Sequence, residues 1–279
     1  MGAAPMRRRI QWLSTKRALV SGVALLSFFV VTSSAWALVR GGNGPTDATW
    51  ERIHRDDTLV VGIDPSFPPF GIFGENQVEG LDADLAQALA EKMGVAHVRL
   101  VVLGYDGLYD TLALGFVDVL ISALHPEARR KGVVLYTKPY FDAGQVFVGH
   151  ADTPLPANFD ELMGATLAVE LGSEGDSQAR QWLEDFGQPP FELQRLMASE
   201  DAIQAILEGH ASWALVDAIS ARLFVKDHPE LGVSAIPLLS DPYVMAVRRS
   251  DWRLYLELSQ ALNALRQSGQ LDEIIARWL

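Results

Sequence analysis

Residues 58–70 read Thr-Leu-Val-Val-Gly-Ile-Asp-Pro-Ser-Phe-Pro-Pro-Phe. The first six form an apolar run of strand length, and the run stops abruptly at Asp64. The loop that follows is stiffened by Pro68 and Pro69, which presents Phe67 at low entropic cost. Ligands of open α/β sheets bind beyond the carboxyl ends of strands, and Asp64 and Phe67 stand at such an end. The same residues are also compatible with an ordinary proline-rich turn over a buried aromatic.

Downstream, strand and helix patterns alternate. Residues 82–93 carry Leu85, Leu89 and Met93 on one helical stripe, with Gly94 as the stop. A strand is expected over 98–102, a helix over 107–114 and a strand over 119–124. The pattern then repeats: strand 166–169, helix 176–186, strand 192–196, helix 202–207, strand 213–216 and helix 219–225. Residues 252–278 read as two helices broken at Gly269. Strands alternating with helices imply α/β layers with largely parallel sheets, and the lengths imply two units.

Three more segments follow strands and could touch a ligand. Ser122-Ala123-Leu124-His125-Pro126-Glu127-Ala128-Arg129-Arg130 offers an arginine able to grip a carboxylate through two parallel hydrogen bonds. The adjacent Arg129 and Lys131 equally fit a solvated basic turn. Gly172-Ser173-Glu174-Gly175 precedes a helix, whose free amides attract anions; plain turn chemistry fits as well. Asp217 ends an apolar strand, where it could receive an ammonium group or cap the next helix.

The chain begins with Arg7, Arg8, Arg9, Lys16 and Arg17, then an apolar stretch from Ala18, then Ser33-Ser34-Ala35-Trp36-Ala37. That order is a secretory signal over residues 1–37, or an uncleaved membrane anchor. In both cases the arginines stay inside and the body is exported to the periplasm or the outer face of the cytoplasmic membrane. Contact with the membrane is expected only through this segment, if uncleaved. Without its five basic residues, the 23 Lys+Arg fall to 18 against 35 Asp+Glu. A body this acidic repels nucleic acid and anionic lipid. The absence of cysteine excludes disulfides, thiol catalysis and a lipidated cysteine. The six histidines show no metal-ligand spacing, and no G-x-S-x-G or H-E-x-x-H motif occurs. No metal or other cofactor is expected.

Taken in order, these segments resemble a known family. The carrying residues are Val61-Gly62-Ile63-Asp64 through Phe70, Gly80-Leu81-Asp82-Ala83-Asp84-Leu85, and Gly115-Phe116-Val117-Asp118-Val119-Leu120-Ile121. Arg130 then stands six residues before Tyr136-Thr137-Lys138-Pro139-Tyr140-Phe141. Ala143-Gly144-Gln145, Leu171-Gly172-Ser173, Ala214-Leu215-Val216-Asp217, Ala264-Leu265-Arg266-Gln267-Ser268-Gly269 and Ile275-Ala276-Arg277-Trp278 complete the match. The chain from about Thr58 onward resembles the periplasmic amino-acid-binding proteins of ABC importers, family 3 of bacterial solute-binding proteins.

The resemblance implies a two-lobed α/β fold of the type II periplasmic-binding-protein kind, each lobe a sheet flanked by helices, joined by two hinge strands. Residues 38–56 would be a linker, 57–142 plus 244–279 lobe 1, and 143–243 lobe 2. It implies that Arg130 clamps the ligand α-carboxylate with help from Ser173, and that Asp217 takes the α-ammonium. Phe67 and Tyr105 would flank the ligand, Asp64 would face its side chain, and Ser122, Ala123 and Glu174 would complete the pocket. His125 stands where the family usually has Ser or Thr, Ala123 where it has Gly, and Glu174 where Thr or Gly is commoner.

The implied function is a monomeric, non-enzymatic binder that delivers a polar amino acid to the membrane permease of an ABC importer. Asp64 and Glu174 tilt the ligand towards a basic or neutral side chain. The alternatives are a tethered ligand-sensing module, or an enzyme like the cyclohexadienyl dehydratases of the same fold. In that enzyme Glu174 could be a general acid if burial raised its pKa.

Overall fold

The computed structural model describes residues 47–75, 77–186 and 190–279. The export segment over 1–37 and the start of the expected linker lie outside the described residues. The described body opens with helix α1 (Ala48–Asp56). Asp47 caps it by accepting the Trp50 amide at 3.0 Å. Its second oxygen accepts the amides of Arg253 and Leu254 at 2.9 and 3.1 Å, so one buried carboxylate serves two helix starts.

Strand β1 (Thr58–Ile63) is an inner strand of the first sheet. A short hairpin, β2 (Ile72–Phe73) with β3 (Val78–Glu79), leads into α2 (Leu81–Met93). Then come β4 (His97–Val102), α3 (Leu108–Ala113), β5 (Val119–Leu124), β6 (Val134–Tyr136) and β7 (Phe141–Asp142). The second sheet is built from β8 (Gln145–His150), β9 (Thr166–Glu170), β10 (Glu192–Leu196), β11 (Trp213–Asp217) and β12 (Leu231–Val233). It is flanked by α4 (Glu174–Phe186), α5 (Ser199–Leu207) and α6 (Ala218–Val225). The chain then returns as β13 (Pro242–Arg248) and ends in α7 (Trp252–Gln267) and α8 (Gln270–Trp278).

The strand orders are β4-β1-β5-β13-β6, with β7 also on β13, and β10-β9-β11-β8-β12. The expectation of largely parallel sheets needs correction. β1 runs parallel to β4 and β5, and β9 runs parallel to β10 and β11. Yet β13 is antiparallel to β5, β6 and β7, and β8 is antiparallel to β11 and β12. The antiparallel strands are those that arrive from the other sheet without an intervening helix, so no right-handed crossover forces them parallel. Alternation of strand and helix predicts only helix-linked strands.

The apolar runs are explained by burial on both faces. On β1 and β5, Leu59, Val61, Val119 and Ile121 pack with Leu85 and Leu89 of α2 and Leu258 and Leu262 of α7. The opposite face sets Val60, Leu120 and Leu124 against Leu108 and Leu112 of α3. In the second sheet Phe147, Leu167, Val169 and Leu215 form one face with Phe159 and Phe191. Each fully buried Leu or Phe stabilises the fold by roughly 1.5–3 kcal/mol. Among the described residues no helix is long and apolar enough to cross a membrane.

Two segments connect the sheets, residues 143–144 and 239–241, and they run in contact. Ala143 donates to Asp241 O and Gln145 to Leu239 O, both at 2.9 Å. A Cβ at Gly144 would lie 1.7 Å from the Leu239 carbonyl oxygen, so only glycine permits this approach.

Candidate binding site

The loop after β1 is closed on itself. Phe70 and Gly71 both donate to the Phe67 carbonyl at 3.0 Å, and Ser66 N donates to Asp64 Oδ1 at 2.9 Å. Ser122 Oγ, at the end of the adjacent strand β5, accepts the Asp64 amide at 3.0 Å. The parallel register of β1 and β5 therefore brings the two loops side by side. Phe70 is buried, while Phe67 is 45% exposed and stacks on it at 5.7 Å between ring centroids.

Ala123 has φ 44°, a left-handed conformation uncommon for a residue with a side chain. Its amide is held from behind, 2.9 Å from Asp82 Oδ2 and 3.0 Å from the Tyr140 hydroxyl. Tyr140 in turn donates to Asp82 Oδ1 at 2.7 Å. Burial pushes the Asp82 carboxyl up to about 7, against the opposing pull of the Tyr140 and Ala123 hydrogen bonds. The Tyr140 hydroxyl is pushed well up by burial and by the Asp82 charge.

A cavity of about 270 Å³ opens at this point, lined by Asp64, Ser66, Phe67, Tyr105, Ser122, Ala123, His125 and Tyr243. Tyr105 stands in the turn after β4 and is half exposed. Tyr243, on β13, forms the floor with its ring edge-on to Phe67, Phe70 and His125 at 6.4, 5.1 and 5.0 Å. Burial, then the Asp241 charge, pushes its hydroxyl up. His125 Nδ1 lies 2.9 Å from Asp241 Oδ1, which ties the loop after β5 to the return crossover.

Five of the residues expected to touch the ligand thus meet at one cavity, Asp64, Phe67, Tyr105, Ser122 and Ala123, and His125 joins them. Arg130 does not line it. Its guanidinium lies over the Tyr109 ring, Cζ 3.9 Å from the centroid, with Nε 3.0 Å from Glu127 Oε2. Ser173, Glu174 and Asp217 stand at the ends of β9 and β11 in the second sheet. Ser173 Oγ caps α4 by accepting the Asp176 amide at 3.1 Å, and that helix begins at Glu174, two residues earlier than its apolar periodicity implies. Glu174 is exposed. Asp217 caps α6 through Oδ1, accepting Ile219 N and Ser220 N at 3.1 and 2.8 Å, while Ser199 Oγ lies 3.3 Å from its Oδ2.

Sequence reasoning missed Ser66, Tyr243, Asp241 and the pair Asp82–Tyr140. For Asp82 a signal existed: it shares the buried stripe of Leu85 and Leu89, where an unpaired acid would be costly. Among the described residues no group of three or more His, Asp or Glu could hold a metal ion.

The family described as bacterial extracellular solute-binding proteins, family 3, matches residues 59–279. The arginine-binding extracellular protein ArtP of Bacillus subtilis is 24% identical over 222 residues, covering 79% of this chain and 85% of that protein. A solved ancestral cationic amino acid solute-binding protein, AncCDT-1, is 27% identical with a TM-score of 0.56, covering 82% of this chain and 99% of that one. An ancestral cyclohexadienyl dehydratase, AncCDT-3, shares the fold at a TM-score of 0.70 and 19% identity, over 85% of this chain and 98% of that one.

Proposed function

Since the chain belongs to family 3 of the bacterial extracellular solute-binding proteins, we propose that it captures a polar amino acid between two lobes outside the cytoplasm and hands it to the membrane permease of an ABC importer. The observation that carries this reading is the cavity at the carboxyl ends of β1 and β5, walled by Phe67, Tyr105 and Tyr243 and supplied with polar groups by Asp64, Ser122 and His125.

The remaining contacts would come with closure. Lobe 1, as 57–142 plus 244–279, carries Arg130 and every residue of this cavity except Tyr243, which stands at the boundary; lobe 2, as 143–243, carries Ser173, Glu174 and Asp217. A ligand touching both lobes binds the closed form better than the open one, and that difference shifts the population. Arg130 would then hold the α-carboxylate and Asp217 Oδ2 the α-ammonium. Asp64 and Asp241 make the neighbourhood acidic, which favours a basic or neutral ligand side chain; the names of ArtP and AncCDT-1 point the same way. We read the protein as an exported monomeric binder, not an enzyme.

The test is a thermal-shift screen of the common L-amino acids, followed by calorimetry on each hit. Binding to the native state raises the melting temperature by mass action. A hit recovered unchanged after incubation supports the reading; no hit, or chemical conversion of the hit, overturns it.

A further inference from the structure

Arg130 is neither free nor fully satisfied. Its Nε lies 3.0 Å from Glu127 Oε2, yet the N–H is not directed at that oxygen, and this buried donor has no hydrogen-bond partner among the described residues. The same Oε2 atom already receives a hydrogen bond from Arg129 Nε. Tyr109 supports the guanidinium from below, Cζ 3.9 Å from the ring centroid. Glu127 therefore neutralises Arg130 by proximity while leaving its Nε–H without a directed acceptor among the described residues.

The pair stands beside the cavity: Glu127 follows His125 of the lining by two residues, and Tyr109, under the guanidinium, follows Tyr105 of the lining by four. The Tyr105 hydroxyl, on the cavity wall, is pushed up by burial and then by the Glu127 charge, with Arg130 pulling the other way. A ligand carboxylate arriving there could meet Arg130 with two parallel hydrogen bonds, a geometry Glu127 does not attain. It must first overcome the attraction of a charge already in place.

We propose that Glu127 is an internal counter-anion for Arg130, which a ligand carboxylate displaces, and that it sets the affinity for ligands bearing a free carboxylate. This deepens the reading above and rests on Arg130 being the carboxylate clamp. Glu127 is a positioning residue, acting on the ligand through Arg130.

The experiment is calorimetry on the wild type, Glu127→Gln, Glu127→Ala and Arg130→Ala, with the common L-amino acids and with the α-amide of the tightest binder. Among the described residues Glu127 forms ion pairs with Arg129 and Arg130, and the melting temperature of each variant checks folding. Both Glu127 variants should bind the free acid more tightly, on the order of two- to fivefold, the range of a partly exposed ion pair. The α-amide should gain nothing.

Unchanged or weaker binding of the free acid by both Glu127 variants, with Arg130→Ala abolishing it, overturns the inference and leaves the amino-acid reading standing. An equal gain for acid and amide also overturns it, because Glu127 would then act without Arg130. If Arg130→Ala binds normally, or no amino acid binds any of the four proteins, the clamp reading itself falls and the inference falls with it.

Discussion

The carboxyl group of Asp82 accepts the backbone amide of Ala123 at 2.9 Å and so holds a residue with a side chain at φ 44° on the wall of the cavity. Left-handed backbone costs a residue with a Cβ about 1–2 kcal/mol, which the buried hydrogen bonds to Asp82 and Tyr140 offset.

That relationship predicts an ordering of substitutions. Ala123→Gly removes the strain but loosens the unfolded chain, so its stability should stay within about 1 kcal/mol of the wild type. Ala123→Val, with a branched Cβ at the same φ, should destabilise by more than about 2 kcal/mol. Urea unfolding measures both. Equal stability of the Val variant would mean that the loop relaxes out of the left-handed conformation.

Asp82 also predicts a pH dependence. Its carboxyl is raised from 3.8 to about 7 by burial, so between those values the native state holds a proton that the unfolded chain has released. The stability it contributes is complete below the unfolded value and is lost as pH rises through about 7. From pH 5 to pH 8 that loss is about 2–3 kcal/mol at 1.36 kcal/mol per pH unit. Asp82→Asn, neutral throughout, should lack this component, and urea titrations of both proteins at the two pH values would show it. Parallel losses in wild type and variant would contradict a protonated Asp82.

Arg130→Ala should weaken amino-acid binding by roughly 30-fold to several thousandfold, the cost of leaving a carboxylate unpaired in a desolvated cleft, about 2–5 kcal/mol. Arg129 is exposed and should matter far less. Calorimetry that returned the reverse order would assign the clamp to Arg129.

Asp217 has two separable tasks. Asp217→Asn keeps an oxygen to cap α6, so stability should change by less than about 0.5 kcal/mol while affinity for an α-amino acid falls sharply. Asp217→Ala should lose about 1 kcal/mol of stability as well. Undiminished amino-acid binding by the Asn variant would reject the proposed orientation of the ligand.

Closure should occur about the two connecting segments, as in the hinge motions of periplasmic binding proteins. A saturating ligand should lower the radius of gyration in small-angle scattering. Moving a population from mostly open to mostly closed needs on the order of 5 kcal/mol of differential affinity. Gly144→Ala, whose Cβ would meet the Leu239 carbonyl at 1.7 Å, should spread these segments and destabilise the protein. An unchanged radius in a sample shown to be saturated would refute closure.

The α/β class, the strand positions and the loops that follow them were legible in the sequence because each depends on local information. The apolar run from Leu59 to Ile63 ends at Asp64, and Gly94 and Gly269 end helices in the left-handed conformation their neighbours would resist. The resemblance carried over the two-lobed arrangement. Tertiary structure alone decided which of the selected residues meet. Asp64 and Ser122 touch because β1 and β5 pair in parallel register, and Tyr243 joins them because β13 returns antiparallel beside β5. Asp217 reads as helix cap or ligand group in the sequence; the fold uses one oxygen as a cap and leaves Oδ2 to Ser199. Arg130 reads as a clamp or a solvated cation, and the fold sets it against Glu127 and Tyr109. A charge's partner depends on distance and burial through space, which residues far apart in the chain create only once they pack.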